Sequence, residues 1–143
     1  MSNLSQFHTL KGYQQISSNP LSPAMEDYLE MIYRLLLSQP CVRINELAAQ
    51  LNVKPSSCTK YIQLLTNSGY LFYKKYGYIT LTENGLAASK FLYQRHNILH
   101  NFFCTINHSE QELELVEKVE HFIDFNTLNN MEKLTEYLHK MNY

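Results

Sequence analysis

The stretch from Val42 to Thr82 constrains this 143-residue chain more than any other part of it. Residues 42–51 (VRINELAAQL) place Ile44, Leu47, Ala48 and Leu51 on one helical face. Asn52-Val53-Lys54 makes a short turn, and Pro55 suits the first position of a second helix, where its missing N–H costs nothing. That helix opens on Ser56, Ser57, Thr59 and Lys60 and carries Tyr61, Ile62, Leu64 and Leu65 inside. It closes at Asn67-Ser68-Gly69, where a glycine can end it. Two β-rich runs follow, YLFYKK (70–75) and YITLT (78–82), joined near Tyr76-Gly77, which predicts a hairpin. Thr82-Glu83-Asn84-Gly85 then opens another helix. Two helices across a tight turn followed by a hairpin form a winged helix-turn-helix, whose second helix enters the DNA major groove. The same layout also serves protein–protein modules, so the charge distribution has to be consulted.

The chain carries a net charge of −1, which by itself argues against nucleic acid. Divided, it does not. Residues 41–95 hold seven basic side chains (Arg43, Lys54, Lys60, Lys74, Lys75, Lys90, Arg95) against Glu46 and Glu83. Residues 96–143 hold three lysines against eight acids, so the halves stand at +5 and −5. Basic charge confined to the winged-helix segment neutralises phosphates and releases counterions. The expected DNA contacts are Lys54, Ser56, Ser57, Thr59, Lys60 and Gln63 at the second helix, with Ser57 and Gln63 reading bases. Arg43, Lys74 and Lys75 are expected on phosphate, and Tyr73, Tyr76 and Tyr78 are expected to pack rather than probe a groove.

Six other side chains form a metal-ligand set: Asp27, Glu30, His96, Glu117, Glu120 and His121. The first two are three apart in MEDYLEMIY (25–33), His96 sits in YQRHN (93–97), and the last three fall within LVEKVEHFI (115–123). Residues three and four apart share a helix face. Alone, a carboxylate pair three apart is usually a solvated helix face, His96 an ordinary surface residue, and E-x-x-E-H a stronger but still loose signal. Brought together, four carboxylates repel and raise one another's pKa unless cations resolve the conflict. Carboxylate oxygen with imidazole and no thiolate suits Mn2+, and Fe2+ or Zn2+ less selectively.

With both parts located, the chain resembles the DtxR family of metal-dependent transcriptional repressors, and within it the manganese-sensing branch. The likeness runs from about Ser22 to Leu138 and includes MEDYLEMIY, NVKPSSCTK, LTENG, YQRH and VEKVEH. All six ligand positions match in residue type. Asp27 stands where the iron-sensing branch has Met, and Glu117 where it has Cys; exchanging soft sulfur for hard carboxylate favours manganese. The resemblance implies two ions per subunit sharing carboxylates, with Zn2+ or Cd2+ also possible, and a homodimer on a pseudo-palindromic operator in double-stranded DNA. The ancillary site of the iron branch is expected to be absent, because His100 and Leu113 occupy its positions. His100 follows His96 by one turn and is either an alternative nitrogen ligand or a polar neighbour.

The expected fold is mainly α with a small β-hairpin: a flexible extension over 1–21, a winged helix-turn-helix over 22–90, and a helical metal-binding and dimerisation domain over 91–143 that shares its site with helix one. Helices are expected over about 22–38, 83–106, 109–123 and 128–140. Phe102, Phe103, Ile106, Leu113, Leu115, Val116, Val119, Phe122, Ile123 and Phe125 exceed what one thin helical layer can bury, which points to a two-fold dimer. No apolar run is long enough to span a membrane and the opening residues lack a signal pattern, so a cytoplasmic protein is expected. Cys41, Cys58 and Cys104 read as reduced thiols outside the ligand set. A dinuclear carboxylate enzyme is disfavoured, since the ligand pattern is not repeated on four helices and no nucleophile stands out.

Overall fold

The computed structural model describes residues 6–16 and 19–143. Within the segment expected to be a structureless extension, a short helix α1 spans Leu10–Ile16; it buries none of its residues. Helix α2, Pro23–Leu36, is capped by Ser22, whose hydroxyl accepts from the Met25 N–H at 3.1 Å. Its inner face buries Met25, Tyr28, Leu29 and Ile32.

Helices α3 (Ile44–Leu51) and α4 (Pro55–Asn67) meet across a turn in which Asn52 takes the left-handed conformation, φ 56°. Asparagine tolerates that region better than other residues with a Cβ. The pair closes on α2 through Leu47, Ala48, Cys58, Ile62 and Leu65, all buried. Tyr28 of α2 stacks on Tyr61 of α4, ring centroids 4.8 Å apart. Burial pushes the Cys58 thiol up to about 11, so this cysteine is an unreactive core residue.

Strands β1 (Leu71–Tyr73) and β2 (Ile79–Leu81) pair antiparallel with Phe72 opposite Thr80. Val42 adds an isolated bridge to Ile79, so the segment before α3 is stitched to the hairpin. Helix α5, Glu83–Asn107, follows directly, capped by Thr82. The Thr82 hydroxyl accepts from the Gly85 N–H and donates to the Gly69 carbonyl at 2.6 Å, tying the end of α4 to the start of α5. Any side chain at position 85 would collide with the Tyr70 carbonyl.

Helix α5 runs out of the winged-helix unit into the second half. There α6, Leu113–Val119, passes into a 3-10 turn over Glu120–Phe122, and α7 covers Phe125–Lys140. Two of these bounds differ from expectation. Helix α6 starts at 113 rather than 109, because His108 ends α5 in the left-handed region and Ser109 donates to Glu112 across the intervening loop. Helix α7 starts at 125 rather than 128, because Asp124 caps it through the Thr127 N–H at 2.7 Å. The second half has a small centre of its own: Leu99, Val116 and Leu128, flanked by Phe91, Ile98, Phe103, Ile123 and Met131.

Candidate metal centre and nucleic-acid interface

Three elements converge on the seam between the halves: α2, the middle of α5, and the 3-10 turn. They bring five of the six expected ligands into two three-donor groups, Glu30–His96–Glu120 and Asp27–Glu120–His121, the donor atoms within each lying within 4.8 Å of one another. Glu120 belongs to both. Its Oε2 lies 3.1 Å from His96 Nδ1, and its Oε1 lies 4.0 Å from His121 Nε2. The first group is closed off, with Glu30, His96 and Glu120 all buried, whereas the second opens to solvent through Asp27, whose side chain is 49% exposed.

The electrostatics are those of crowded carboxylates. Burial pushes Glu30 up, the Glu120 charge adds to this, and Arg34 and His96 pull the other way. Arg34 reaches Glu30 Oε2 at 2.9 Å from the next helical turn. His121 carries Asp27 Oδ1 at 3.0 Å on Nε2 and Glu26 Oε1 at 2.8 Å on Nδ1. Burial works against its positive charge, but those two carboxylates outweigh it and raise the ring to about 9.

Glu117 is the ligand the fold does not bring in: it is exposed on α6. The expectation that 117, 120 and 121 share one face assumes a single α-helix. The segment leaves α pitch after Val119, with Glu120 buried and Glu117 exposed. His100 lies outside both groups. Its Nε2 sits 2.8 Å from Gln111 Oε1, and Cys104 Sγ lies 3.7 Å away, so it serves the α5–α6 junction as a polar neighbour of His96. Glu26 was not read from the sequence, and Arg95 was counted there only among the basic charges of the winged-helix segment. Both are buried, and Arg95 reaches the two Glu26 oxygens at 3.4 Å each.

The expected DNA contacts gather on the winged-helix unit. Ser56, Ser57, Lys60 and Gln63 are exposed along α4, with Lys54 exposed before it and Lys74 and Lys75 on the hairpin loop. Thr59 is half-buried and donates its hydroxyl back to the Pro55 carbonyl at 3.0 Å, which leaves it the least available of the set. Arg43 stacks over the Tyr78 ring at 4.4 Å and donates to its hydroxyl at 2.7 Å, so α3 and the hairpin share one basic edge. Of the three tyrosines expected to pack, only Tyr73 joins the core. Tyr76 stands 88% exposed at the hairpin tip with φ 64°, and Tyr78 is exposed beneath Arg43.

Comparison with known proteins agrees with this geometry. Residues 20–79 match the family described as iron dependent repressor, N-terminal DNA binding domain. The chain is 37% identical over 118 residues to the HTH-type transcriptional regulator MntR of Lysinibacillus sphaericus (strain C3-41), covering 82% of this chain and 85% of that one. It is 37% identical over 117 residues to MntR of Bacillus subtilis (strain 168), covering 81% and 82%. Among solved structures, the metal-dependent transcriptional regulator MtsR superposes with a TM-score of 0.71 at 22% identity, over 82% of this chain and 55% of that one. ScaR with bound Zn2+ superposes with a TM-score of 0.64 at 25% identity, over 79% and 54%. The chain thus spans about half the length of these solved regulators and most of the length of its curated relatives. No helix among the described residues is long and apolar enough to cross a membrane. Fold, donor groups and sequence likeness together assign this chain to the DtxR family of metal-dependent transcriptional regulators, in its MntR group.

Proposed function

We propose that this protein is a cytoplasmic repressor of manganese-uptake genes that takes Mn2+ as its corepressor, with Fe2+, Zn2+ and Cd2+ as poorer substitutes. One observation carries the reading: Glu120 turns one oxygen toward His96 and the other toward His121, joining two donor groups drawn from α2, α5 and the 3-10 turn. The donors fit a hard divalent ion, being carboxylate oxygen and imidazole nitrogen with no thiolate among them. Bound cations would supply the positive charge that lets Asp27, Glu30 and Glu120 stay together.

Two groups imply two ions per subunit. Glu117, one turn before Glu120 and exposed, completes the set by rotating inward. Because α2 packs on α3, α4 and α5, fixing Asp27 and Glu30 against Glu120 and His121 fixes the reading head against the second half. The arrangement that binds both metal and DNA is then the more populated one. Lys54, Ser56, Ser57, Lys60 and Gln63 face the major groove, with Thr59 supporting the helix start, while Arg43, Lys74 and Lys75 grip phosphate.

The same reading includes a homodimer on a pseudo-palindrome. Phe122, Phe125, Leu134 and Tyr137 remain exposed on the second half at 48%, 64%, 45% and 57%. A monomer gains nothing from that apolar surface, and a two-fold partner would cover it.

The test is DNA affinity with and without metal. A duplex enriched from a genomic fragment library by the Mn2+-loaded protein should bind at least about tenfold more tightly in Mn2+ than in chelator, ~1.4 kcal/mol of coupling. Equal affinity in the two conditions would remove the corepressor reading and leave a winged-helix protein that ignores metal.

A further inference from the structure

One buried carboxylate borders the donor groups and belongs to neither. Glu26, 5% exposed, places Oε1 2.8 Å from His121 Nδ1. Arg95, 3% exposed, approaches both Glu26 oxygens at 3.4 Å, and its Nη2 lies 3.5 Å from the same His121 nitrogen. The opposite nitrogen, Nε2, faces Asp27 and Glu120, the other members of its donor group. The ring is therefore gripped on one edge and presented on the other.

The chemistry of imidazole gives that grip a consequence. A histidine coordinates a cation only through an unprotonated nitrogen, and the hydrogen bond made by the other nitrogen decides which one that is. A carboxylate accepting from Nδ1–H leaves the Nε2 lone pair directed at the donor group. Such a partner also fixes the ring's orientation and raises its basicity, and losing it typically costs about 10–100-fold in metal affinity. The guanidinium has its own part. A lone buried carboxylate is costly, and a two-pronged arginine compensates it. Held on both oxygens, Glu26 cannot swing round as a further carboxylate ligand.

We propose that Glu26, locked by Arg95, is a positioning residue that offers His121 to the metal through Nε2 and thereby sets the metal affinity of the Asp27–Glu120–His121 group. The inference rests on reading that group as metal-binding. The brace joins α2, α5 and the 3-10 turn, the same three elements as the donors.

The experiment measures Mn2+ affinity of the full chain by calorimetric titration, together with histidine 15N NMR of the protein loaded with Zn2+ as a diamagnetic probe. Glu26→Gln keeps an acceptor oxygen and loses the charge; in the folded protein it should weaken Mn2+ binding about tenfold and speed exchange of the His121 Nδ1 proton. Glu26→Met removes the acceptor and should cost about 100-fold, or, if it fails to fold, leaves the decision to Glu26→Gln. Arg95→Lys should bind Mn2+ more tightly than Arg95→Met. Mn2+ affinity of Glu26→Gln within about twofold of wild type would overturn the proposal. Should the wild type itself bind no Mn2+, the corepressor reading fails first; should it bind, lose binding on Glu120→Gln and keep it on Glu26→Gln, only the positioning role fails.

Discussion

In the reading head, Leu29, Ile32, Leu47, Ile62 and Leu65 are fully buried, and Lys54, Lys60, Lys74 and Lys75 stand outside. In the second half, the buried apolar residues are Leu99, Val116 and Leu128, while Glu30, His96 and Glu120 are buried along the seam and aromatic side chains face solvent. The contrast separates two tasks. A head with an apolar core holds its shape whatever the ionic conditions and can keep charge on its surface for phosphate. The seam, where Asp27 and Glu30 of α2 meet Glu120 of the second half, takes its final arrangement, in the proposed mechanism, from whatever neutralises it. In the proposed mechanism the part with the apolar core reads and the seam senses.

The largest expected effect comes from the residue common to both donor groups. Glu120→Gln should weaken Mn2+ binding by about 100-fold or more, since a ligand shared by two sites is lost from each, and metal-dependent DNA binding should disappear with it. Its melting temperature without metal should hold or rise, because one of the mutually repelling carboxylates is gone. A variant that retained Mn2+ affinity would show that Glu120 does not bridge. Glu117→Gln, by comparison, should cost less than Glu120→Gln, as expected of a side chain that must be drawn in from solvent.

The head should answer in the opposite pattern. Replacing Lys60 and Lys74 with Gln removes two phosphate contacts, so affinity should fall for every DNA sequence and the slope of log affinity against log salt should flatten by about 2. Mn2+ affinity, measured without DNA, should stay the same. If this double variant lost Mn2+ binding, the division between grip and switch would collapse.

Selectivity should move least. Asp27 sits at the open edge of its group, and Asp27→Met exchanges hard oxygen for soft sulfur, so activation by Fe2+ should gain on activation by Mn2+. An unchanged order of activating metals would place Asp27 outside the coordination sphere. His100→Ala should leave the metal response intact, because His100 is committed to Gln111 and the backbone N–H of Glu112.

Much of this was legible in the sequence wherever a period or a fixed backbone preference speaks. Pro55 and Gly69 bracket α4, the alternation around Tyr76-Gly77 marks the hairpin, and Thr82 announces α5. Asp27, Glu30, His96, Glu120 and His121, the five whose donor atoms converge, were legible as candidates because each lies on a regular helix or in a short charged motif. Glu117 was placed with them by helical spacing and by the family resemblance, and it stands exposed one turn before the buried Glu120. The Asp124 cap that starts α7 was present in Asp-Phe-Asn-Thr and went unread. Glu26 and the buried place of Arg95 were missed for a different reason. Glu26 lies four residues before Glu30, hence on the same face, and Arg95 adjoins His96, yet charged residues are ordinarily assigned to solvent. Only the convergence of three elements shows that this pair is inside.

In the proposed mechanism sensing and reading share one equilibrium, and linkage gives a direct test. If Mn2+ tightens DNA binding by some factor, DNA must tighten Mn2+ binding by the same factor. The measurement is Mn2+ affinity by titration, with and without a saturating enriched duplex, beside DNA affinity in Mn2+ and in chelator. Mn2+ affinity should rise at least about tenfold on DNA, matching the DNA-side factor. Equal Mn2+ affinity with and without DNA would mean that the donor groups at the seam do not govern the head, and would contradict that mechanism.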